Sequence, residues 1–264
     1  MDAEGSMIDR FRALHAAGIF VMPNPWDVGS ARVLEGLGFE ALATTSGGQA
    51  QALGRLDGGV QRHELIGHVA DLTAVIGVPL NVDAERCFAE TPEGVAATVE
   101  ELTGAGAAGI SIEDWNPEKA EIDPIAKSVD RVAAAVEAAA GQALITARSE
   151  NHIRGVNDID NTVARLQAYR EAGADVLYAP GIYLPEDIRR VTDLGLPVNY
   201  LALPSGPTVA ELGELGVRRV STGSSLARAS FAALIDGAKE LMSDGTSEYI
   251  GRASSASELQ RLLR

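Results

Sequence analysis

One cysteine, Cys87, stands among 264 residues, so an internal disulfide is excluded. A lone thiol of this kind is more often a small buried hydrophobe than a nucleophile. Histidine is scarce too: His15, His63, His68 and His152 show no metal-ligand spacing and read as surface or loop residues, with general-base work left open. Positive charge is short: 22 Lys and Arg stand against 37 Asp and Glu, a formal net charge of −15. A nucleic-acid phosphate backbone would be repelled, and no local basic stripe offsets this. The same acidity requires that an anionic substrate be met by a metal ion or an arginine. No apolar run reaches the ~18 residues that span a bilayer. The opening Met1-Asp2-Ala3-Glu4-Gly5-Ser6 lacks the basic and apolar regions of a secretory signal, and a cytoplasmic protein is expected.

What is present is a regular alternation of two patterns. Apolar residues make up 46% of the chain, enough for a sizeable core. Short apolar or β-branched runs predict strands at Ile19–Met22, Ala41–Thr45, Pro79–Val82, Gly109–Ile112, Ala143–Ala147, Val176–Tyr178, Pro197–Leu201 and Arg219–Ser221. Helical spacing between them predicts helices such as Thr91–Thr103, Ile125–Ala139, Ile159–Ala172, Pro185–Asp193 and Thr208–Leu215. Gly38, Gly77, Gly106, Gly141, Gly173, Gly195 and Gly216 each precede a strand, as where a helix stops at a left-handed residue. Strict alternation favours a parallel sheet, and eight units favour closure into a barrel, a fold that commonly runs to about 250 residues as one domain. The expectation is a single (β/α)8 TIM-type barrel over residues 1–264, with 225–264 as a helical extension. Within that extension, Ser225–Met242 and the amphipathic Ala256–Leu263 would dock on their own barrel or on a neighbouring subunit. The glycine-rich stretch from Ser46 to Gly59 reads as a long loop after the second strand, of the kind that serves as a lid.

In such a barrel the catalytic groups sit at the carboxyl ends of the strands. The third strand runs into Asn81-Val82-Asp83-Ala84-Glu85, where residues two apart share a face and would place two carboxylates together. The fourth ends in Ser111-Ile112-Glu113-Asp114, and the fifth in Thr146-Ala147-Arg148-Ser149-Glu150-Asn151. Converging carboxylates repel one another unless a cation intervenes, and hard oxygen donors without His or Cys select Mg²⁺ or Mn²⁺ over zinc. For any one of these residues a solvated rim position or a helix cap is the alternative. Arg148 offers a planar fork matched to a carboxylate, and could equally pair with Glu150 or Glu113. Asp27 either orients the site or caps the helix that follows it.

Trp26-Asp27-Val28-Gly29-Ser30-Ala31-Arg32, Thr45-Ser46-Gly47-Gly48, Gly54-Arg55-Leu56-Asp57, Asn81-Val82-Asp83-Ala84-Glu85, Ile112-Glu113-Asp114 and Thr146-Ala147-Arg148 occur in that order. From about Phe11 to Leu234 the chain thereby resembles the isocitrate lyase/phosphoenolpyruvate mutase superfamily. The resemblance implies a barrel whose last helix swaps between paired subunits, assembled as a homodimer or homotetramer. It implies Mg²⁺ held partly through waters by Asp83, Glu85 and Glu113. It implies further that Thr45, Ser46, Gly47, Gly48 and Asn199 contact a small 2-oxo acid and that Arg148 binds an anionic group. Asp57, on a gating loop, and Lys119, where the mutase branch has a lysine, join Arg148 as catalytic candidates. In such a site the metal stabilises the charge that gathers as an enolate forms, the N–H groups of Gly47 and Gly48 act as an oxyanion hole, and loop closure excludes water.

The chain also departs from that pattern. The lyase branch carries a Lys-Lys-Cys-Gly-His or Lys-Arg-Cys-Gly-His type of motif after the strand-four glutamate, its cysteine serving as acid and base. Here the segment reads Trp115-Asn116-Pro117-Glu118-Lys119-Ala120-Glu121-Ile122. Glu121 stands where the mutase branch places an asparagine beside the phosphoryl group. After the sixth strand, Tyr178-Ala179-Pro180-Gly181 offers neither the mutase histidine nor the lyase glutamate. The implied activity is a Mg²⁺-dependent lyase that cleaves a C–C bond of a small 2-oxo or 2-hydroxy (di)carboxylic acid, as oxaloacetate decarboxylase does. The alternatives are a phosphonopyruvate-type mutase or hydrolase and a barrel that binds a 2-oxo acid without turnover.

Overall fold

The computed structural model describes residues 5–264. Eight parallel strands form one sheet: β1 (Phe20–Met22), β2 (Leu42–Ala43), β3 (Leu80–Asp83), β4 (Gly109–Glu113), β5 (Leu144–Arg148), β6 (Val176–Tyr178), β7 (Val198–Leu201) and β8 (Arg219–Ser221). Their order is β1-β8-β7-β6-β5-β4-β3-β2. The two ends of the sheet meet through the N–H of Ala43, which donates to the Pro23 carbonyl at 3.0 Å, so the barrel is nearly closed. Register carries the site residues to one level: Glu113 lies opposite Arg148, and Arg148 opposite Tyr178.

The outer helices begin where the chain supplies caps. Thr91 accepts from the N–H of Gly94 ahead of α5 (Pro92–Gly104), with Pro92 in the first turn where its missing N–H costs nothing. Asp158 caps α7 (Ile159–Glu171), and a reciprocal Thr208–Glu211 box opens α9 (Val209–Glu214). The α6 helix (Ile125–Ala139) and α8 (Pro185–Thr192) complete the ring after β4 and β6. Of the seven glycines expected to end helices, Gly77 alone has no positive φ; its N–H instead donates to Glu35 Oε1 at 2.6 Å.

Two expectations need correcting, and one element is new. The stretch from Ser46 to Gly59 is not all loop: Ser46–Ala52 forms a helix, α3, before α4 (Arg62–Thr73). A glycine-rich helix is intrinsically weak, and this one is held by the Thr45 cap and by burial of Gly47, Gly48 and Ala50. A short antiparallel hairpin, Trp115–Asn116 with Glu121–Ile122, stands after β4. His15 is not a surface histidine. It lies on α1 (Met7–Ala16), buried edge-on between the rings of Phe11 and Phe20 at 4.7 and 5.0 Å. That helix plugs the amino-terminal mouth of the barrel, where Phe11, Phe20, Met22, Ala41, Ala43, Ala108 and Leu144 form a second apolar cluster.

Beyond β8, α10 (Ser225–Ser243) packs its first turn against α3, while Leu234, Ile235, Leu241 and Met242 remain exposed. The terminal helix α11 (Ala256–Leu262) returns to α2 (Val28–Gly36) of the same chain. The approach depends on Gly36, where a β-carbon would stand 2.7 Å from the Leu262 carbonyl oxygen. No helix among the described residues is long and apolar enough to cross a membrane.

Candidate active site

The carboxyl ends of β3, β4 and β5 deliver a cluster of acids around one arginine. Asp83 closes β3, but strand alternation does not bring Glu85 beside it as expected. The chain turns after Asp83, and Glu85, Cys87 and Phe88 all adopt left-handed φ values of 49°, 58° and 51°. Conformations of that kind cost about 1–3 kcal/mol each and persist where the surroundings impose them. Here the Ala84 N–H donates to the Ser111 carbonyl and the Glu113 N–H to the Glu85 carbonyl, at 3.1 and 2.9 Å. Burial, then the neighbouring Asp83 and Asp57 charges, push the Glu85 carboxyl up to about 7. Glu113 is raised well above the usual carboxylate range by burial, which outweighs the opposing Arg148 charge. Cys87 is fully buried and its thiol is pushed up to about 12, so it is chemically quiet.

Arg148 reaches into this group from β5. Its Nη1 lies 3.6 Å from Asp83 Oδ1 and 3.5 Å from Glu113 Oε2, and its Nε pairs with Glu150. Burial opposes its charge, but Glu150, Glu113 and Asp83 prevail and hold the guanidinium more firmly protonated than usual. The partners left open by the sequence are therefore both engaged.

The α3 helix meets the cluster at its amino end. The Ser46 N–H donates to Asp83 Oδ2 at 3.3 Å. The Gly48 N–H is bonded to Thr45 Oγ1 at 3.2 Å, so of the two N–H groups expected to form an oxyanion hole this one already has a partner. Gly48 is also the residue that lets Thr45 and Trp26 approach, since a β-carbon there would lie 2.5 and 3.1 Å from their side chains. Asp57 stands over Gly47. Two candidates make no contact with these acids, although Asn199 lies opposite Tyr178 in the register. Lys119 sits on the hairpin loop with its ammonium exposed and 3.8 Å from Glu121. Asn199 is buried inside the barrel, accepting from Arg219 Nε at 2.8 Å and donating to Ser221 Oγ at 2.9 Å. Asp27 accepts from the Ser30 N–H at 2.7 Å and is the cap of α2.

Sequence reasoning named Glu150 only as a partner for Arg148, quoted Asp114 without a role and passed over Arg154. Glu150 is fully buried and takes Arg148 on one oxygen and Arg154 Nε on the other, the latter at 3.0 Å. The Arg154 guanidinium lies 4.2 Å from the centroid of the Trp115 ring. Asp114 accepts from the Glu150 N–H, Arg165 and Tyr169, tying the ends of β4 and β5 to α7. The Glu150/Arg154 spacing of four was the one available signal.

A metal ion fits this donor set on chemical grounds. All the converging side chains offer hard oxygens, and burial, with the neighbouring acid charges adding to it, holds the Glu85 and Glu113 carboxyls above the usual range. Among the described residues no group of three or more His, Cys, Asp or Glu side chains is already placed to hold a metal ion. Mg²⁺ commonly keeps several waters and takes only one or two carboxylates directly, so such a group is not required.

Comparison with known proteins agrees with this geometry. The model of the phosphoenolpyruvate phosphomutase family matches residues 11–242. An uncharacterized protein of Mycobacterium tuberculosis is 36% identical over 256 residues, covering 96% of this chain and 95% of its own. The 2-methylisocitrate lyase of Aeropyrum pernix is 34% identical over 246 residues, covering 88% of this chain and 78% of its own. A crystal structure from Burkholderia cenocepacia, of a protein assigned no more closely than lyase/mutase, superposes with a TM-score of 0.92 at 45% identity, covering 97% and 95% of the two chains. The chain belongs to the phosphoenolpyruvate phosphomutase family, within the isocitrate lyase superfamily.

Proposed function

We propose that the chain is a Mg²⁺- or Mn²⁺-dependent lyase that cleaves a C–C bond of a small 2-oxo or 2-hydroxy dicarboxylic acid, with decarboxylation of oxaloacetate the simplest case. The observation that carries this reading is the Asp83–Glu113–Arg148 cluster, buried at Glu113 and half-buried at the other two, beside a hairpin that contains no cysteine. Asp83, Glu85 and Glu113 would hold the metal, which when bound supplies electrophilic pull on the oxygens of the 2-oxo acid. Arg148, fixed by Glu150, balances the acids and keeps their geometry. Ser46 and Gly47 present the end of α3 to the substrate, and the loop bearing Asp57 shuts water out from above.

Loss of CO₂ breaks the bond between the departing carboxylate and the carbon next to the carbonyl. The electron pair stays with that carbon, which then gains a proton from solvent to give pyruvate. No acid has to protonate the leaving group, so the chemistry tolerates the absent cysteine. Two relatives support the class: the oxaloacetate decarboxylase of Bradyrhizobium sp., 28% identical over 220 residues, and the 2-methylisocitrate lyase already named.

The test is a purified protein with Mg²⁺, assayed for pyruvate release from oxaloacetate against an enzyme-free Mg²⁺ control. Turnover of phosphonopyruvate instead would replace this reading with the P–C one. Silence on both, without solvent exchange of the methyl protons of pyruvate, would leave a binding barrel.

A further inference from the structure

We infer that Arg154 sets the substrate specificity of this site by binding the distal carboxylate of a dicarboxylic acid whose 2-oxo or 2-hydroxy end lies at Asp83, Glu85 and Glu113. The inference rests on the reading above and adds the group that selects a dicarboxylate over a monocarboxylate.

Three contacts orient the Arg154 guanidinium. Its Nε donates to Glu150 Oε2 at 3.0 Å, its Cζ lies over the Trp115 ring at 4.2 Å from the centroid, and its Nη2 is 4.0 Å from Glu113 Oε1. The last distance exceeds hydrogen-bond range. Among the described residues neither Nη atom of Arg154 therefore has a hydrogen-bond partner, although the group is held on one edge and one face. Arg148 is the opposite case, buried with its Nε and Nη1 already facing three carboxylates. The Arg154 side chain is 38% exposed, so a ligand entering the rim can reach it.

Its place in the fold points the same way. Trp115 opens the hairpin after β4, and Arg154 stands on the loop after β5; these loops flank Glu113 and Arg148. A substrate anchored at the acids extends toward this gap. A planar guanidinium whose Nε and face are fixed has lost little freedom that binding would still have to remove, and its remaining N–H pair matches a carboxylate bidentately. Neutralising Glu150 would not by itself require this arrangement, because that carboxylate already holds Arg148 and lies over no ring. A phosphonate dianion is the poorer match: Glu113 lies 4.0 Å from Arg154, and the hairpin loop sets Glu118 and Glu121 against the single Lys119.

The experiment compares malate with lactate, two 2-hydroxy acids that differ by the distal carboxylate, by titration calorimetry in Mg²⁺. Wild type is expected to prefer malate by tenfold or more, Arg154→Lys less, and Arg154→Gln hardly at all. In steady state the variants should raise the KM for oxaloacetate more than they lower kcat. An unchanged malate preference in Arg154→Gln, or none in wild type, overturns the assignment. Tighter binding of phosphonopyruvate than of malate overturns the carboxylate specifically. Should Arg154→Gln fail to fold, Arg154→Lys carries the same comparison. Absent oxaloacetate turnover with an Arg154-dependent malate preference would sink the lyase reading and leave this one standing.

Discussion

Asp57 rests directly on Gly47: its carboxyl carbon lies 3.3 Å from the point a β-carbon at position 47 would occupy. The loop that carries Asp57 is thus fitted to the bare backbone at the start of α3, beside the N–H that faces the acid cluster. Gly47 has no positive φ, so alanine is conformationally acceptable and only the contact is at issue. In Gly47→Ala the loop must move outward by a few tenths of an ångström. Because misplacement on the order of 1 Å can cost ~100-fold in rate, kcat/KM should fall at least about tenfold while the melting temperature barely changes. Wild-type turnover in this variant would separate the loop from the chemistry.

The exposed face of α10 leads us to expect an assembly. Leu234, Ile235, Leu241 and Met242 all face solvent in the isolated chain, with Ile250 beyond them. Burying a side chain of this size is worth roughly 1.5–3 kcal/mol, which favours a dimer or tetramer in which α10 meets another subunit. Light scattering should report an oligomer, and Leu234→Asp with Leu241→Asp should shift it toward monomer. A monomer at every concentration tested would refute this.

The barrel strands were legible because each is a short apolar run between helical segments; β6 and β8 match their expected limits residue for residue. Asp83, Glu113 and Arg148 were legible because they end such runs. Glu85 joined them through a left-handed turn that no period announces. The α3 helix was hidden by its glycines, whose propensity is overridden by a cap and by packing. His15 and Arg219 were hidden for another reason: polar residues enter a barrel floor only when several separate elements satisfy them together. Arg219 donates to Asn199, Thr146 and His15 from three parts of the chain. Asn199, expected at the substrate, is also bonded into that buried group. Arg154 depended on the turn after β5 directing it onto Trp115, a long-range contact.

His15 makes stability pH-dependent. Burial, then the Arg219 charge, lower its imidazole from 6.5 to about 3. Its Nδ1 meets the Phe11 carbonyl at 2.7 Å and its Nε2 faces Arg219 Nη1 at 3.3 Å, an arrangement that suits the neutral ring. Between pH 6.5 and 3 the unfolded chain therefore binds a proton that the folded chain excludes, so stability falls as pH falls across that window. The loss approaches about 1.4 kcal/mol per pH unit, on the order of 2 kcal/mol by pH 5. Urea unfolding of wild type and His15→Gln at pH 7 and pH 5 should show the smaller acid loss in the variant. Equal losses would mean that the folded protein admits the proton.

The metal reading turns on Asp83. Its Oδ2 accepts from the Ser46 N–H and its Oδ1 faces Arg148, while the Glu85 and Glu113 carboxyls, both raised by burial, crowd it. Asp83→Asn keeps the shape and removes one negative charge, so the fold should persist. Without metal, relief of carboxylate repulsion and loss of the Arg148 attraction oppose each other, and the variant should melt close to wild type. With Mg²⁺ the two should part. An ion that binds only the native state adds RT ln(1 + [L]/Kd), about 2.7 kcal/mol at a hundredfold excess over Kd, and removing a ligand carboxylate raises Kd. Thermal melts over a Mg²⁺ titration should therefore show a clear rise for wild type and a smaller, right-shifted rise for Asp83→Asn, with oxaloacetate turnover falling in parallel. An identical Mg²⁺-induced rise in both proteins would place the ion elsewhere and remove Asp83 from the proposed chemistry.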